Sequence, residues 1–170
     1  MGKVIYFSGL PKSGKSVTLG ALYDALRAKG NSFFLERVCP DCEGMWTLQS
    51  EDGSDRARAY KNRLKDAGEF FSPAFVEAKQ SAIKGLALCF DTVLADMGGI
   101  PSPENARLVE AGMQSGAEVR AVVLHLRGTD PSPWVRWWED RGVTPTVKET
   151  VNPWEDRFRN AQNLLGIIDN

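Results

Sequence analysis

The stretch Gly9-Leu10-Pro11-Lys12-Ser13-Gly14-Lys15-Ser16 decides the fold that we predict for this chain of 170 residues. It has the pattern G-x-x-x-x-G-K-S, and the apolar segment Val4–Phe7, typical of a buried strand, directly precedes it. After it, apolar residues recur at helical spacing until Gly30 ends the run. Strand, glycine-rich turn and helix therefore follow one another in the order that a phosphate-binding loop requires.

This glycine-rich stretch predicts an anion site. Backbone N–H groups of the turn and the positive end of the following helix would surround the phosphates of a nucleotide. We expect Lys15 to reach the β- and γ-phosphates as a catalytic residue, and the Ser16 hydroxyl to coordinate Mg²⁺. The predicted cofactor-binding residues are Gly9, Lys12, Ser13, Gly14, Lys15, Ser16 and Val17.

Composition restricts the class of protein. The hydrophobic content of 42% and charged content of 25% are ordinary for a soluble globular protein, and a net charge of −1 does not indicate nucleic-acid or membrane binding. The count of 3 cysteines is odd, which argues against a disulfide framework and favours a cytoplasmic location. Because no apolar run approaches the ~20 residues of a membrane span, we expect one domain over residues 1–170 with no membrane partner.

Alternating strand and helix patterns predict an α/β fold. Strands are expected at 3–8, 32–38, 92–96, 119–126 and 144–147, and helices at 15–29, 55–66, from 73, 103–115, 133–141 and 153–165. Four helices are expected to begin at a capping residue followed by proline, namely Ser72-Pro73, Ser102-Pro103, Ser132-Pro133 and Asn152-Pro153. The order predicts three layers, with a mostly parallel five-stranded sheet covered by helices on both faces.

Asp96 closes the apolar strand 92–96 and is a candidate catalytic residue. From a strand end, its carboxylate would hold Mg²⁺ together with Ser16, directly or through water; the alternative is a cap of the following turn. The run Asp96-Met97-Gly98-Gly99 also fits the D-x-x-G of GTPases that sense the γ-phosphate. The later run Arg127-Gly128-Thr129-Asp130 lacks the lysine of a guanine-reading N-K-x-D, so we expect ATP, with Mg²⁺, as the cofactor.

Gly9–Ser16 and Asp96 resemble the motifs of P-loop NTPases, and the compact layout of about residues 3–126 resembles their small kinase branch. This resemblance implies a Mg·ATP-dependent phosphotransferase acting on a small hydroxyl-bearing or phosphorylated substrate. A second resemblance is to the P-loop domains that accompany a CRISPR-associated ring-nuclease family. It rests on Pro40-Asp41-Cys42-Glu43-Gly44, the Asp96-x-Gly-Gly strand end and Pro103-Glu104-Asn105. The alternatives are therefore an NTPase switch, or an ATP-binding regulatory module of a CRISPR-associated system working as a homo-oligomer.

The kinase resemblance implies further catalytic residues. An acidic residue after the second strand would accept the proton of the acceptor hydroxyl, for which Asp41 is the first candidate and Glu43 the second; either could instead form the turn. Arg127, just past the fourth strand, is a candidate cation for the charge that develops on the transferred phosphoryl group. The basic segment Arg56–Lys65 is either a solvated helix face or an anion-binding surface. The stripe Trp134, Trp137 and Trp138 belongs to the core or an interface, or else forms a stacking platform.

Overall fold

A computed structural model of the chain describes residues 2–30, 32–40 and 53–169. Strands in this part of the chain are β1 (Lys3–Ser8), β2 (Phe33–Arg37), β3 (Thr92–Asp96), β4 (Glu118–Leu126) and β5 (Thr146–Thr150). Helices are α1 (Lys15–Lys29), α2 (Gly53–Asp66), α3 (Pro73–Cys89), α4 (Pro103–Gln114), α5 (Ser132–Glu139) and α6 (Arg157–Asp169).

The described strands form one parallel sheet in the order β2-β3-β1-β4-β5. β1 lies at the centre, where Phe7 pairs with Asp96 of β3 on one side and with Val122 of β4 on the other. The carboxyl ends of these three strands therefore meet at one edge, which is where ligands of parallel sheets bind. The sheet confirms the predicted α/β, three-layer architecture.

Helices cover both faces of the sheet. Successive side chains of a strand point to opposite faces, so Ile5 and Phe7 of β1 pack with α1 and α6, whereas Val4 and Tyr6 pack with α3, α4 and α5. Trp134 and Trp138 of α5 are fully buried in the cluster with α3 and α4, and Trp137 is partly buried against it. Of the interpretations given for this stripe, the structure therefore agrees with a core position. Burial contributes about 1.5–3 kcal/mol for each large apolar side chain, so these two layers hold the central strand rigidly.

Two of the four predicted caps have the expected geometry. The Ser72 hydroxyl accepts from the backbone N–H of Phe75 at 3.3 Å, and the Ser102 hydroxyl accepts from that of Asn105 at 3.2 Å. In α5, by contrast, Ser132 is already helical, and the carboxylate of Asp130 accepts from its N–H at 2.9 Å. The predicted cap at Ser132 was therefore wrong, because an acidic side chain two residues earlier takes the capping role.

The predicted start of the last helix at Asn152-Pro153 was also wrong. Asn152 has a φ of +42°, its carbonyl accepts from the N–H of Asp156 at 2.9 Å, and the helix begins only at Arg157. A turn therefore separates β5 from α6. β5 itself lies later than expected, because the sheet register pairs Thr146–Thr150 with Val122–Leu126.

Helix α2 is mostly solvated, in keeping with its polar sequence. Residues 58–60 are exposed, and Leu64 is only half-buried. Within the described ranges, the structure has no helix long and apolar enough to cross a membrane.

Candidate nucleotide-binding site

In the loop between β1 and α1, glycine residues allow neighbouring atoms to approach the backbone closely. Gly9 has a φ of +144°, and a Cβ there would collide with the carbonyl oxygen of Leu124 in β4. Gly14, at a φ of +80°, precedes α1, and a Cβ there would collide with the ring of Pro153. The two glycines of the motif are thus required by positive φ and by close approach of neighbouring backbone and proline atoms. The loop is wrapped tightly at the N-terminus of α1, where a helix favours anions.

Lys15 lies inside this loop. Its side chain is buried, with 8% of the residue exposed, and the ammonium donates to the carbonyl oxygen of Gly9 at 2.9 Å. The positive charge is therefore fixed beside the backbone that would hold the phosphates. Because the residue is buried, solvent screens its charge less than it would screen a charge on the surface.

The two predicted metal ligands are in direct contact. The Ser16 hydroxyl donates to Oδ2 of Asp96 at 2.9 Å, across 80 residues of sequence, and Asp96 is only 3% exposed. The register that pairs β1 with β3 causes this meeting, since it sets Asp96 beside Phe7, two residues before the loop begins. A hydroxyl and a carboxylate side by side fit the hard oxygen ligands that Mg²⁺ takes, with phosphates and water completing the shell.

Magnesium would depend on the nucleotide for much of its coordination. The structure has no group of three or more His, Cys, Asp or Glu side chains that could hold a metal within the residues it describes. This arrangement suits a cation that arrives with a phosphate ligand rather than one held in a protein cage.

A cavity of about 1130 Å³ opens in front of the loop. Residues 11–17 form one wall and Met97–Ile100, following β3, form another. Basic side chains also line it, and within the described residues these are Lys12, Lys15, Arg37, Arg58, Lys61 and Lys65. Phe70 and Phe71 contribute an aromatic surface on the same side as α2. The cavity therefore combines the phosphate-binding loop with a strongly cationic wall.

Part of the basic segment lies along this cavity, as the anion-binding interpretation requires, and anion binding there stays a prediction. Arg58, Lys61 and Lys65 face the cavity, whereas the guanidinium of Arg63 lies over the Tyr60 ring at 5.1 Å. Sequence reasoning missed Arg37, the last residue of β2. Its position at the carboxyl end of a strand was the signal that could have identified it.

The structure does not place Arg127, another predicted catalytic residue, at the loop. Arg127 is exposed; its Nε donates to Glu149 of β5 at 2.8 Å, and it lies outside the described lining of the cavity. Asp41 and Glu43 fall outside the described residues.

The last residue of β5 and residues of the turn after it also contact the loop, and sequence reasoning did not identify them. The Thr150 hydroxyl donates to the carbonyl oxygen of Ser13 at 2.8 Å, Pro153 packs against Gly14, and Trp154 lines the cavity. The signal available in the sequence was again position, since these residues end β5 or directly follow it at the carboxyl edge of the sheet.

No protein-family model matches the sequence, and no curated protein matches it significantly. Solved structures do match. APS kinase from Mycobacterium tuberculosis, in complex with AMPPNP and APS, is 16% identical over 99% of this chain and 98% of its own, with a TM-score of 0.54. A de novo designed protein with a P-loop NTPase fold is 14% identical over 100% of this chain and 95% of its own, with a TM-score of 0.52.

Chloroplast FtsY from Physcomitrella patens is also similar, at 14% identity over 100% of this chain and 55% of its own, with a TM-score of 0.54. These likenesses show that the chain has the P-loop NTPase fold. Small P-loop kinases are among the proteins that share its layout over nearly the whole chain, as the sequence predicted. Because a shared fold does not determine activity, the choice between a kinase and an NTPase switch has to come from the site.

Proposed function

We propose that the protein is a Mg·ATP-dependent phosphotransferase of the small P-loop kinase type, acting on a small hydroxyl-bearing or phosphorylated substrate. The observation that carries this proposal is the cavity, which continues from the phosphate-binding loop to a second cationic wall on β2 and α2. Its volume of about 1130 Å³ is just above the range of about 300–1,000 Å³ that is typical of ligand pockets, which supports room for an acceptor beside the nucleotide.

The phosphate-binding loop would hold the nucleotide. Backbone N–H groups at the start of α1 would bind the β- and γ-phosphates, and the Lys15 ammonium would contact the same oxygens. Ser16 and Asp96 would hold Mg²⁺, which when bound neutralises charge on the phosphate oxygens. The contribution of these residues is positional and electrostatic, as phosphoryl transfer requires.

The acceptor would lie on the β3 and β2 side of the loop. Asp96 marks that side, and the wall formed by Arg37, Arg58, Lys61 and Lys65 extends it. Cations there favour an acceptor that carries negative charge, because each would attract an anionic group across the cavity. Asp41 is our proposed proton acceptor for the attacking hydroxyl.

Arg127 is our proposed mobile cation. To reach the transferred group, it would exchange its exposed ion pair with Glu149 for a phosphate oxygen. An exposed pair of this kind is worth only about 0–1 kcal/mol, so the exchange costs little.

A second candidate function is an NTPase switch, and one observation favours it. Gly98 and Gly99 follow Asp96 and line the cavity, and a Cβ on Gly99 would lie 2.9 Å from Cδ of Pro11 in the loop. The backbone after β3 therefore abuts the phosphate-binding loop, where it could respond to the presence of a γ-phosphate.

Incubation with γ-labelled ATP, Mg²⁺ and a panel of small alcohols, sugars and nucleotides tests the proposal. We expect the label to move to one class of acceptor, and the transfer to be lost in Asp96→Asn. Label found only as inorganic phosphate, at a rate that no acceptor changes, would favour the switch instead.

A further inference from the structure

The turn between β5 and α6 is fixed directly to the phosphate-binding loop. The Thr150 hydroxyl bridges the carbonyl oxygens of Ser13, at 2.8 Å, and His125, at 3.1 Å. Three residues later, Pro153 packs so closely on Gly14 that no side chain fits between them. The residue after Pro153 is therefore positioned by contacts with the loop itself.

That residue is Trp154, which remains half-exposed at 50% and lines the cavity together with the loop. Its carbonyl oxygen accepts from the Arg157 guanidinium at 2.7 Å, and the same guanidinium lies 4.8 Å from the indole centroid. Trp134 and Trp138, by contrast, are fully buried. Trp154 is thus held at the surface beside the cavity with half of its area exposed, and a planar ligand in contact with its indole would remove apolar area from water.

The strand order determines which part of a nucleotide this indole faces. The loop follows the central strand β1, Asp96 and the cationic wall lie toward β2, and Trp154 follows β5 at the other end of the sheet. The proposed acceptor lies on the side of the loop that Asp96 marks, so a γ-phosphate that faces it must point toward Asp96. The nucleoside at the other end of the triphosphate then extends toward β5, into the part of the cavity that Trp154 lines.

We propose that the nucleobase of the bound triphosphate stacks on the indole of Trp154. This proposal rests on the nucleotide binding proposed above and adds the residue that contacts the base. Every base has a π-face, so stacking of this kind strengthens binding without reading hydrogen-bonding groups. The indole therefore holds the base, while the loop and Lys15 hold the phosphates.

Calorimetric titration of the full chain with Mg·ATP and with Mg·tripolyphosphate separates base binding from phosphate binding. Stacking on an aromatic side chain is worth about 1–3 kcal/mol by alanine substitution, which corresponds to a factor of about 5 to 140 in affinity. We expect Trp154→Ala to weaken Mg·ATP binding by a factor in this range and to leave Mg·tripolyphosphate within about twofold. Trp154→Phe keeps a ring and should recover most of the loss.

Phe158→Ala is the matched control. Phe158 is 57% exposed and lies 4.5 Å from the same guanidinium, but it is outside the described lining of the cavity. We expect this variant to bind both ligands as the wild type does. Equal losses for both ligands in Trp154→Ala, or a loss of ATP affinity in Phe158→Ala, would show a structural effect on the loop and overturn the proposal. So would unchanged ATP affinity in Trp154→Ala when the wild type binds ATP. A wild type that binds neither ligand would overturn the proposed function as well.

Discussion

Replacing Lys15 with methionine tests the electrostatic role of the phosphate-binding loop. Methionine keeps most of the buried apolar stem and removes the ammonium that donates to the Gly9 carbonyl oxygen at 2.9 Å. The variant therefore changes charge with little change in volume. We expect it to fold and to bind Mg·ATP more weakly.

The expected loss of Mg·ATP binding free energy in Lys15→Met follows from two opposing contributions. At an effective dielectric constant of about 20, a unit charge 4 Å from a phosphate oxygen contributes about 4 kcal/mol. The hydrogen bond from the ammonium to Gly9 is worth about 1.5–3 kcal/mol, and a phosphate oxygen competes with it. The net loss is about 2 kcal/mol, or a dissociation constant about 30-fold higher.

Titration calorimetry with Mg·ATP measures the dissociation constant, and Lys12→Met is the control. Lys12 belongs to the same loop and lines the same cavity, but its side chain is exposed. Because solvent screens the charge of Lys12, Lys12→Met should raise the dissociation constant of Mg·ATP by about fivefold or less. A Lys15→Met protein that binds within threefold of the wild type, or a control that loses as much, would refute the reasoning.

Three further substitutions test other parts of the site. Asp96→Asn keeps the shape beside Ser16 but removes the charge, so turnover should fall by about 10²-fold or more while the dissociation constant of Mg·ATP rises less than tenfold; equal losses would make Asp96 a structural cap. Asp41→Asn should slow phosphoryl transfer by about 10²–10⁴-fold at unchanged ATP affinity, and a joint fall in affinity and melting temperature would assign it to its turn. Gly14→Ala places a side chain at a φ of +80° against Pro153 and should destabilise the protein by about 1–3 kcal/mol in urea unfolding; an unchanged midpoint would contradict the geometry described for this loop.

The fold was predictable because its signals are local. The glycine motif between an apolar strand and a periodic helix predicted β1, the loop and α1, and Gly30 ends α1 with a φ of +75°, as expected. The pair Asn152-Pro153 led to a wrong predicted start of the last helix, because the same residue types begin turns as readily as helices. Local sequence could not show that the turn is held against Gly14, a contact that depends on the tertiary fold.

The candidate site was predictable in part. Asp96 could be expected near Ser16 because parallel strands bring their carboxyl ends together. Arg37, Thr150 and Trp154 were missed because only their position at or after a strand end marks them in the sequence. The tertiary fold brings Arg37 and Trp154 to the cavity and Thr150 to the loop. The roles of Asp41 and Arg127 stay predictions.

The contact from Thr150 to Ser13 spans 137 residues, which has a consequence for how the protein is made. The phosphate-binding loop leaves the ribosome before the residues that brace it, because these come from β5 and the turn after it. Until β5 pairs with β4, the loop lacks the hydroxyl of Thr150 and the ring of Pro153, so a nascent chain should not hold nucleotide tightly. Nucleotide would then stabilise only a chain in which β5 has paired with β4, and its addition should slow amide exchange in β5 as well as in the loop.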